Sequence, residues 1–430
     1  MLGPVSPAER RLGTRTPARR PRPGPVPAGR GEYLWEILGT LWPPPASVTR
    51  CGRLRPGRPG DTDLLIFPDE RRAALLAPRR PRRAAAAALR NYKASASARD
   101  RLRLRAAAFA ARAGLAEVLP GRIRIERGPA GTDADIADHL RAALGRDILV
   151  GLHVGAARAN RKPVLQALTP DGQMLGFVKV GVDPLTRRLV CAEAQALTFL
   201  ASVPLSRLEA PRLLYHGQWQ GNEVLVQQAF AAGRPARSEA ELAGAMAELA
   251  AIRGLSRQAL ADSPYLRSLR SRLRALPGSE LAGRVGHAVD LLGPAAGTLA
   301  FGSWHGDWTP WNMTMSGGRA RVWDWERFGT GVPVGFDAVH FWLQGAIIRG
   351  GIAPAAAAER AVTGAPEILA PFGLDPAAAS RVATLYLAEI AARYLRDGQA
   401  EAGARLGRIG DWLLPALIGH ARRLGEAAPV

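Results

Sequence analysis

Three oxygen-bearing side chains in the last third of the sequence have the types and spacing that phosphoryl transfer requires. Asp307 is followed five residues later by Asn312, and Asp324 comes twelve residues after that. This chemistry needs a carboxylate that accepts the proton of the attacking hydroxyl, and oxygen ligands for the metal ions that neutralise the phosphates. Magnesium uses few protein carboxylates and keeps several waters, so one Asp and one Asn suit it. The pattern therefore predicts a catalytic loop at Asp307 and a metal loop at Asp324.

The segments upstream of this motif predict a small sheet and one helix that carry two further charged residues. Lys179 lies in a predicted strand, and Glu193 lies at the middle of the helix that follows it. The predicted helix spans residues 185–200. The predicted strands span residues 147–155, 163–168, 174–181, 212–215 and 223–228.

After residue 233 the apolar residues recur mainly at helical spacing. Helices are predicted at residues 238–252, 264–276, 279–292, 354–362, 376–396 and 403–423. Strands first and helices second, with the motif near their junction, predict a bilobal α+β architecture. We expect a small antiparallel-sheet N-lobe at residues 126–232 and a mainly helical C-lobe at residues 233–430.

The N-terminal part has a different composition from the rest of the chain. Residues 1–30 contain seven Pro and seven Arg with hardly any large apolar side chains, which predicts a disordered tail. Residues 31–125 are interpreted as a basic accessory region. Within it, residues 62–78 predict two short strands around a turn at Pro68-Asp69-Glu70, and residues 79–92 and 98–114 predict helices.

The formal net charge of +21 is distributed unevenly along the chain. The excess of basic residues lies mostly in residues 1–125, whereas the part that carries the motifs is nearly neutral. A bias towards Arg, Ala, Gly and Pro is also what a GC-rich genome produces, so nucleic-acid binding is not the expected function. The two cysteines, Cys51 and Cys191, exclude a disulfide scaffold, and the sequence has neither a Cys/His metal cluster nor an apolar membrane segment. We expect a cytoplasmic protein.

Together, His305-Gly306-Asp307, Asp324-Trp325-Glu326 and Phe336-Asp337 resemble the motifs of the aminoglycoside phosphotransferase and choline kinase group, within the protein-kinase-like fold. The resemblance covers roughly residues 145–425 and is strongest at 303–341. It implies an ATP- and Mg-dependent kinase that acts on a hydroxyl of a small molecule. Asp307 would accept the hydroxyl proton, Asn312 and Asp324 would ligate magnesium, and His305 would brace the metal loop.

The resemblance also implies a nucleotide site. Lys179 would pair with the ATP phosphates and with Glu193, and residues 227–230, including Gln228 and Phe230, would form the hinge that meets adenine. Lys179 is one of only three lysines in a chain that otherwise uses Arg. Lys carries a compact point charge, whereas Arg carries a wide planar group. The presence of a lysine at position 179 therefore favours a specific role over that of an ordinary strand-surface residue. A solvated helix position is the alternative for Glu193.

Two features depart from the family pattern. No GxGxxG loop is present between the first strands, and Arg158, Asn160, Arg161 or Lys162 would have to reach the phosphates instead. The helices after Gly233 carry several arginines where sites for polycationic aminoglycosides tend to be acidic. The acceptor is therefore not expected to be an aminoglycoside.

Five of the ten tryptophans fall near the motif, and each has two interpretations. Packing around the catalytic loop is favoured for Trp304 and Trp323. For Trp308 and Trp311, which lie between Asp307 and Asn312, contact with a substrate ring and packing remain equally open.

Two further classes of function compete with a small-molecule kinase. A nucleotide-binding pseudokinase or regulatory protein is disfavoured because no expected catalytic residue is missing. Binding of an anionic polymer through residues 1–125 rests on clustered arginines such as those at 79–83, without an interleaved aromatic recognition motif. The partner that we expect is a small molecule with a hydroxyl group.

Overall fold

The structure is a computed structural model of the 430-residue chain. It describes residues 30–51, 58, 60–69, 72–92, 98–115, 121–128, 135–155, 161–231, 233–234, 239–276, 278–295, 297–398 and 408–426. The predicted disordered tail lies outside these residues, apart from Arg30.

A sheet of nine antiparallel strands forms the first half of the molecule. The strands follow the order β1-β4-β2-β3-β5-β6-β7-β10-β9 across the sheet. They are β1 (Ser47–Arg50), β2 (Thr62–Phe67), β3 (Leu75–Pro78), β4 (Arg122–Glu126), β5 (Leu149–His153), β6 (Val164–Leu168), β7 (Met174–Gly181), β9 (Leu213–Trp219) and β10 (Asn222–Gln228). The short strand β8 (Leu208–Glu209) belongs to another sheet.

The basic accessory region extends this sheet. The predicted hairpin at residues 62–78 is present as β2 and β3, and β3 pairs with β5 through Leu76 and Leu152. Strand β4, which the sequence did not predict, crosses the expected boundary at residues 125–126 and pairs with both β1 and β2. Four helices accompany these strands: α1 (Arg30–Leu41), α2 (Arg82–Arg90), α3 (Ala98–Ala113) and α4 (Ile136–Leu144). One apolar core unites strands from both regions.

Helix α5 (Pro184–Ala201) crosses the end of β7 and positions Glu193. Its start is determined by Asp183, which accepts hydrogen bonds from the backbone of Leu185 and Thr186, while Thr186 completes a capping box. Gly181 permits the close approach, because a Cβ there would lie 2.6 Å from the Cα of Arg187. Lys179 and Glu193 are thereby placed on facing elements.

The second half is mainly helical, as the sequence predicts. Its helices are α6 (Glu239–Ala251), α7 (Pro264–Arg274), α8 (Glu280–Ala295), α9 (Phe336–Ile348), α10 (Pro354–Thr363), α11 (Ala365–Leu369), α12 (Pro376–Arg396) and α13 (Ile409–Glu426). Helix α12 is buried along nearly its whole length and forms the centre of the largest apolar core. The predicted helix at 403–423 lies partly outside the described residues, and its described part begins at Ile409.

Two small sheets hold the motif between the halves. Strand β12 (Thr298–Trp304) lies between β11 (Ser256–Ala259) and β15 (Gly329–Pro333) and leads directly into the catalytic loop. Strands β13 (Met313–Ser316) and β14 (Arg319–Val322) form a hairpin that leads into the metal loop. Its turn residues, Gly317 and Gly318, have φ of 57° and 77°, as a tight primed turn requires.

The expected α+β architecture, an antiparallel sheet followed by a helical part, is thus confirmed. Among the described residues, no helix is both long enough and apolar enough to cross a membrane.

Candidate active site

Helix α9 anchors the catalytic loop through its first turn. The carboxylate of Asp337 accepts hydrogen bonds from the backbone N–H groups of His305 (2.7 Å) and Gly306 (3.0 Å). Gly306 has φ of 82°, and a Cβ there would lie 2.4 Å from the carbonyl oxygen of Arg327. Only glycine fits this turn without displacing the neighbouring chain. Burial raises the pKa of Asp337 to about 7, although the two backbone donors and Arg393 lower it.

His305 connects the catalytic loop to the metal loop. Its Nδ1 accepts from the backbone N–H of Asp307 at 3.1 Å, so the ring proton lies on Nε2. Nε2 donates to the carbonyl oxygen of Trp323, also at 3.1 Å. Burial lowers the pKa of His305 to about 4, which keeps the ring neutral at pH 7. With both nitrogens engaged by backbone groups, His305 is suited to the bracing role that the resemblance implies.

Asp307 is held by two side chains and remains open to solvent. Asn312 Nδ2 donates to Asp307 Oδ2 at 2.9 Å, and His340 Nε2 lies 3.1 Å from Oδ1. The Asp307 side chain is 41% exposed. Burial opposes its ionisation, but the hydrogen bond from His340 and nearby positive charge, including that of Arg393, outweigh burial and lower the pKa of Asp307. The group is thus an ionised carboxylate that can accept a proton at neutral pH.

His340 and Tyr386 are candidate functional residues that the sequence reasoning missed. Tyr386 Oη lies 2.7 Å from His340 Nδ1, so a neutral His340 accepts from this hydroxyl and donates through Nε2 to Asp307. Burial lowers the pKa of His340. Sequence spacing could have indicated it, because His340 lies three residues after Asp337 on α9 and therefore on the same face. Tyr386 gave no such signal, since α12 reaches it only in the folded molecule.

Lys179 joins the two halves of the molecule. Its Nζ lies 2.6 Å from both carboxylate oxygens of Glu193 and also contacts Oδ1 of Asp324. The backbone N–H of Trp325 donates to the same Glu193 carboxylate at 3.2 Å. Burial alone lowers the pKa of Lys179, but the charges of Asp324 and Glu193 outweigh burial and raise it. The expected Lys179–Glu193 ion pair is therefore present, and it is almost completely buried.

Asp324 and Asn312 fit a magnesium site by the chemistry of their oxygens. The backbone of Asp324 is in the left-handed region (φ 70°, ψ 53°), a strained conformation for a residue other than glycine. Its side chain is 36% exposed, so the carboxylate remains accessible. Asn312 uses its amide nitrogen on Asp307, which leaves the amide oxygen for a cation. One carboxylate and one amide oxygen are a donor set that magnesium accepts.

The remaining nucleotide-site candidates are less closely grouped. Lys162 forms an ion pair with Glu326 of the metal loop. The backbone N–H of Gln228 donates to the carbonyl oxygen of Arg212, and the ring of Phe230 lies 5.4 Å from the Arg321 guanidinium carbon. The Gln228 N–H is thus engaged within the protein, and its side chain is exposed. Arg158 and Asn160 lie outside the described residues.

The tryptophans mostly pack the protein interior. Trp308 is fully buried, and its indole N–H faces Met313 Sδ at 3.5 Å, so it cannot form the wall of a substrate site. Trp304 is buried against Phe336, as expected. Trp311 and Trp323 are only half-buried. Contact with a substrate stays a prediction for Trp311.

A second group of potential metal ligands lies outside the motif. Cys191 of α5, His216 of β9 and Glu223 of β10 place their ligand atoms within 4.8 Å of one another. These residues are far apart in sequence, and only the packing of α5 on the sheet brings them together. His216 Nε2 lies 3.1 Å from Glu223 Oε2, a hydrogen bond that explains the arrangement without a metal.

The sequence matches no protein-family model and no curated protein. Solved structures do match. A protein of Haemophilus somnus 129PT named as a fructosamine-3-kinase has 15% identity and a TM-score of 0.44, covering 67% of this chain and 96% of that chain. A thermostable mutant of aminoglycoside phosphotransferase APH(4)-Ia with ADP and hygromycin B has 14% identity and a TM-score of 0.45, covering 68% and 99%.

Amicoumacin kinase with AMP-PNP and Ca²⁺ has 14% identity and a TM-score of 0.38, covering 68% of this chain and 93% of that chain. The matches therefore include aminoglycoside phosphotransferases, the group that the sequence motifs resemble. At these identities and scores they carry no information about the substrate. The functional proposal depends on the side chains instead.

Proposed function

We propose that this protein is an ATP- and Mg-dependent phosphotransferase that phosphorylates a hydroxyl group of a small molecule. The observation that carries the proposal is the convergence of five residues from separate elements, which we call the metal-side cluster: Lys179, Glu193, Asp307, Asn312 and Asp324. A strand, a helix and two loops supply them.

The charges of the cluster favour a role in binding over a role in stability. Lys179 and Glu193 are 3% and 0% exposed, and such burial of a charged pair costs desolvation free energy that the pairing only partly offsets. A buried network that also contains strained Asp324 is characteristic of a functional site. A nucleotide phosphate would complete it, since Lys179 supplies a point charge and Asp324 an oxygen ligand.

Each residue has a role in the proposed reaction. Lys179, held by Glu193, orients the phosphates, and Asp307 holds the acceptor hydroxyl in line and takes its proton. Magnesium, when it is bound by Asn312 and Asp324, neutralises charge on the phosphates. His340 keeps Asp307 oriented, and His305 keeps the two loops in register.

The test combines nucleotide binding with turnover. Addition of ATP and magnesium together should raise the melting temperature of the protein, and the increase should require both components. ATP consumption should then be measured over a panel of hydroxyl-bearing metabolites, with Asp307→Asn as the inactive reference. This variant should lose turnover by roughly a hundredfold to ten-thousandfold with little change in nucleotide affinity.

The pseudokinase alternative makes a different prediction. It requires ATP binding without ATP consumption above that of Asp307→Asn on any member of the panel. If ATP and magnesium produce no stabilisation at all, both the phosphotransferase and the pseudokinase are excluded.

A further inference from the structure

A polar cavity of about 350 Å³ is bordered by the metal loop through Glu326, Arg327 and Phe328. Helix α5 borders it on one side and helices α7 and α12 on the other, and Trp304 and Arg327 connect it to the catalytic and metal loops. We call it the arginine cavity, because five of its lining residues are arginines. They are Arg188, Arg272, Arg327, Arg393 and Arg396.

The cavity contains more positive charge than its own carboxylates neutralise. Its acidic residues are Glu326, Glu389 and Asp397, and Glu326 is already paired with Lys162. Glu389 binds Arg272 through two hydrogen bonds of 2.7 and 2.6 Å. Asp397 is shared, since it contacts both Arg327 at 2.6 Å and Arg396 at 3.3 Å. Five arginines therefore face two available carboxylates.

The unneutralised arginines lie close to the catalytic loop. Arg393 is 7% exposed, and its Nη1 donates to the carbonyl oxygen of Gly306 at 2.5 Å, one residue before Asp307. Burial lowers the pKa of Arg393, and the neighbouring charge of Arg327 lowers it further. Arg188 is exposed on α5, and within the described part of the chain no carboxylate pairs with it. The fold thus holds like charges together, at a cost in free energy, beside the candidate reaction centre.

We propose that the arginine cavity binds the acceptor, and that the acceptor carries an anionic group, a phosphate or a carboxylate, besides its reactive hydroxyl. This inference rests on the proposed phosphotransferase function and names its substrate class. Guanidinium groups bind phosphate and carboxylate oxygens in pairs, and a volume of this size accommodates a small metabolite. A polycationic acceptor would instead be repelled.

The anionic group places the hydroxyl for transfer. The hydroxyl oxygen forms a bond to the γ-phosphorus while the bond from that phosphorus to the bridging oxygen breaks. The bridging oxygen leaves with ADP and keeps the electron pair, and the hydroxyl proton passes to Asp307. The arginines take no part in the bond changes and act as binding residues.

The first test compares acceptors that differ only in an anionic group. Suitable pairs are glucose with glucose 6-phosphate, ribose with ribose 5-phosphate, and glycerol with glycerate, with ADP release as the measurement. The anionic member of a productive pair should have a kcat/KM higher by roughly tenfold to a hundredfold. Equal or better turnover of the neutral members would overturn the proposal and leave the phosphotransferase function intact.

The second test removes charge from the cavity. Arg188→Gln and Arg396→Gln should each raise KM for the anionic acceptor by roughly tenfold and leave kcat nearly unchanged. Arg187→Gln is the matched control, because Arg187 is exposed on the same helix and does not line the cavity. An increase in KM for Arg187→Gln as large as that for Arg188→Gln would overturn the proposal.

A binding measurement decides the matter even if no acceptor is found. With ADP and magnesium saturating, sodium sulfate should raise the melting temperature of the wild type more than sodium chloride of equal ionic strength. The Arg188→Gln/Arg396→Gln variant should lose most of this difference, and Arg187→Gln should keep it. Equal sulfate stabilisation of all three proteins overturns the proposal. If ADP and magnesium do not raise the melting temperature, the phosphotransferase function itself is contradicted. The two failures are distinguishable, because nucleotide binding and sulfate binding are measured separately and neither depends on turnover.

Discussion

The metal-side cluster and the arginine cavity both lie beside the catalytic loop, and they carry an excess of opposite charge. In the metal-side cluster, one lysine contacts two carboxylates, so the cluster has an excess of negative charge that metal ions can neutralise. In the arginine cavity, five arginines face two available carboxylates, so the excess is positive. A cation would therefore be attracted to the metal-side cluster and an anion to the arginine cavity. Under the proposed function, metal-bound nucleotide and acceptor would be held by separate regions beside the catalytic loop.

The two regions also differ in the elements that position their side chains. The metal-side residues are connected by hydrogen bonds between neighbouring loops, through His305 and Asn312. The arginine cavity is lined by residues of α5 and α12, which are far apart in sequence. Substitutions on the metal side should therefore affect the chemical step, and substitutions in the cavity should affect binding of the acceptor.

The largest expected effect comes from Asp324→Ala, which removes the candidate metal-binding carboxylate from the metal-side cluster. Turnover should fall by roughly a thousandfold or more, because the metal ion that would neutralise the phosphate charge loses one of its protein ligands. Circular dichroism should show an intact fold, because Lys179 keeps its buried ion pair with Glu193 when Asp324 is replaced.

Asp262→Ala is the matched control for that substitution, because Asp262 is exposed and lies outside the site. If Asp324→Ala phosphorylates an identified acceptor at the wild-type rate, the assignment of Asp324 as a metal ligand is wrong.

The second expected effect is a loss of stability in acid that depends on buried His305. Its pKa falls from 6.5 to about 4 on folding, so the unfolded chain binds more protons between these values. Stability from this group is complete above pH 6.5 and is lost as the pH falls towards 4. The full loss is about 3 kcal/mol. Urea unfolding at pH 7 and at pH 4 measures it.

His153 supplies the matched control, since burial also lowers its pKa to about 4 and it lies outside the site. Both His305→Gln and His153→Gln should reduce the acid-dependent loss of stability by a similar amount. Only His305→Gln should also lower turnover, because only His305 connects the two loops. Equal turnover in the two variants would contradict the bracing role.

The smallest effect is expected for His340→Gln, which separates positioning of Asp307 from its chemistry. Loss of the contact that lowers the pKa of Asp307 should decrease kcat by roughly tenfold. The acid limb of the kcat profile should move to higher pH, because the carboxylate then retains its proton to a higher pH. A merely structural His340 would leave the position of that limb unchanged.

His287→Gln is the control for this variant, because His287 is exposed on α8. Tyr386→Phe should produce part of the same change, since Tyr386 orients the imidazole through Nδ1.

Local sequence patterns predicted most of the second half of the fold. Helix α12 has the predicted bounds, and α5 and α7 begin within one residue of expectation. These helices carry their own signals in the sequence, such as Asp183 before α5 and Asp375 before α12. Strands β1 and β4 were missed. For β1 the reason is that a short edge strand with mostly exposed residues shows little periodicity.

The basic accessory region shows why composition alone misleads. Its arginines were the basis of the anionic-polymer alternative, but Arg124 is buried and bonds to Asp63 at 2.8 Å, and Arg79 pairs with the same carboxylate. These two side chains belong to the ion pairs of the large sheet. Binding of an anionic polymer has to be argued from other residues of the region.

The sequence by itself determined the three oxygen donors on which the proposed chemistry depends, because Asp307, Asn312 and Asp324 belong to one short stretch in which spacing along the chain limits spacing in space. It also indicated Lys179 and Glu193, since a strand followed at once by a helix places their side chains on neighbouring elements. Only the tertiary structure decided what surrounds Asp307. His340, Tyr386 and the arginine cavity come from helices whose mutual packing is set by apolar burial over the whole core, which no local pattern records.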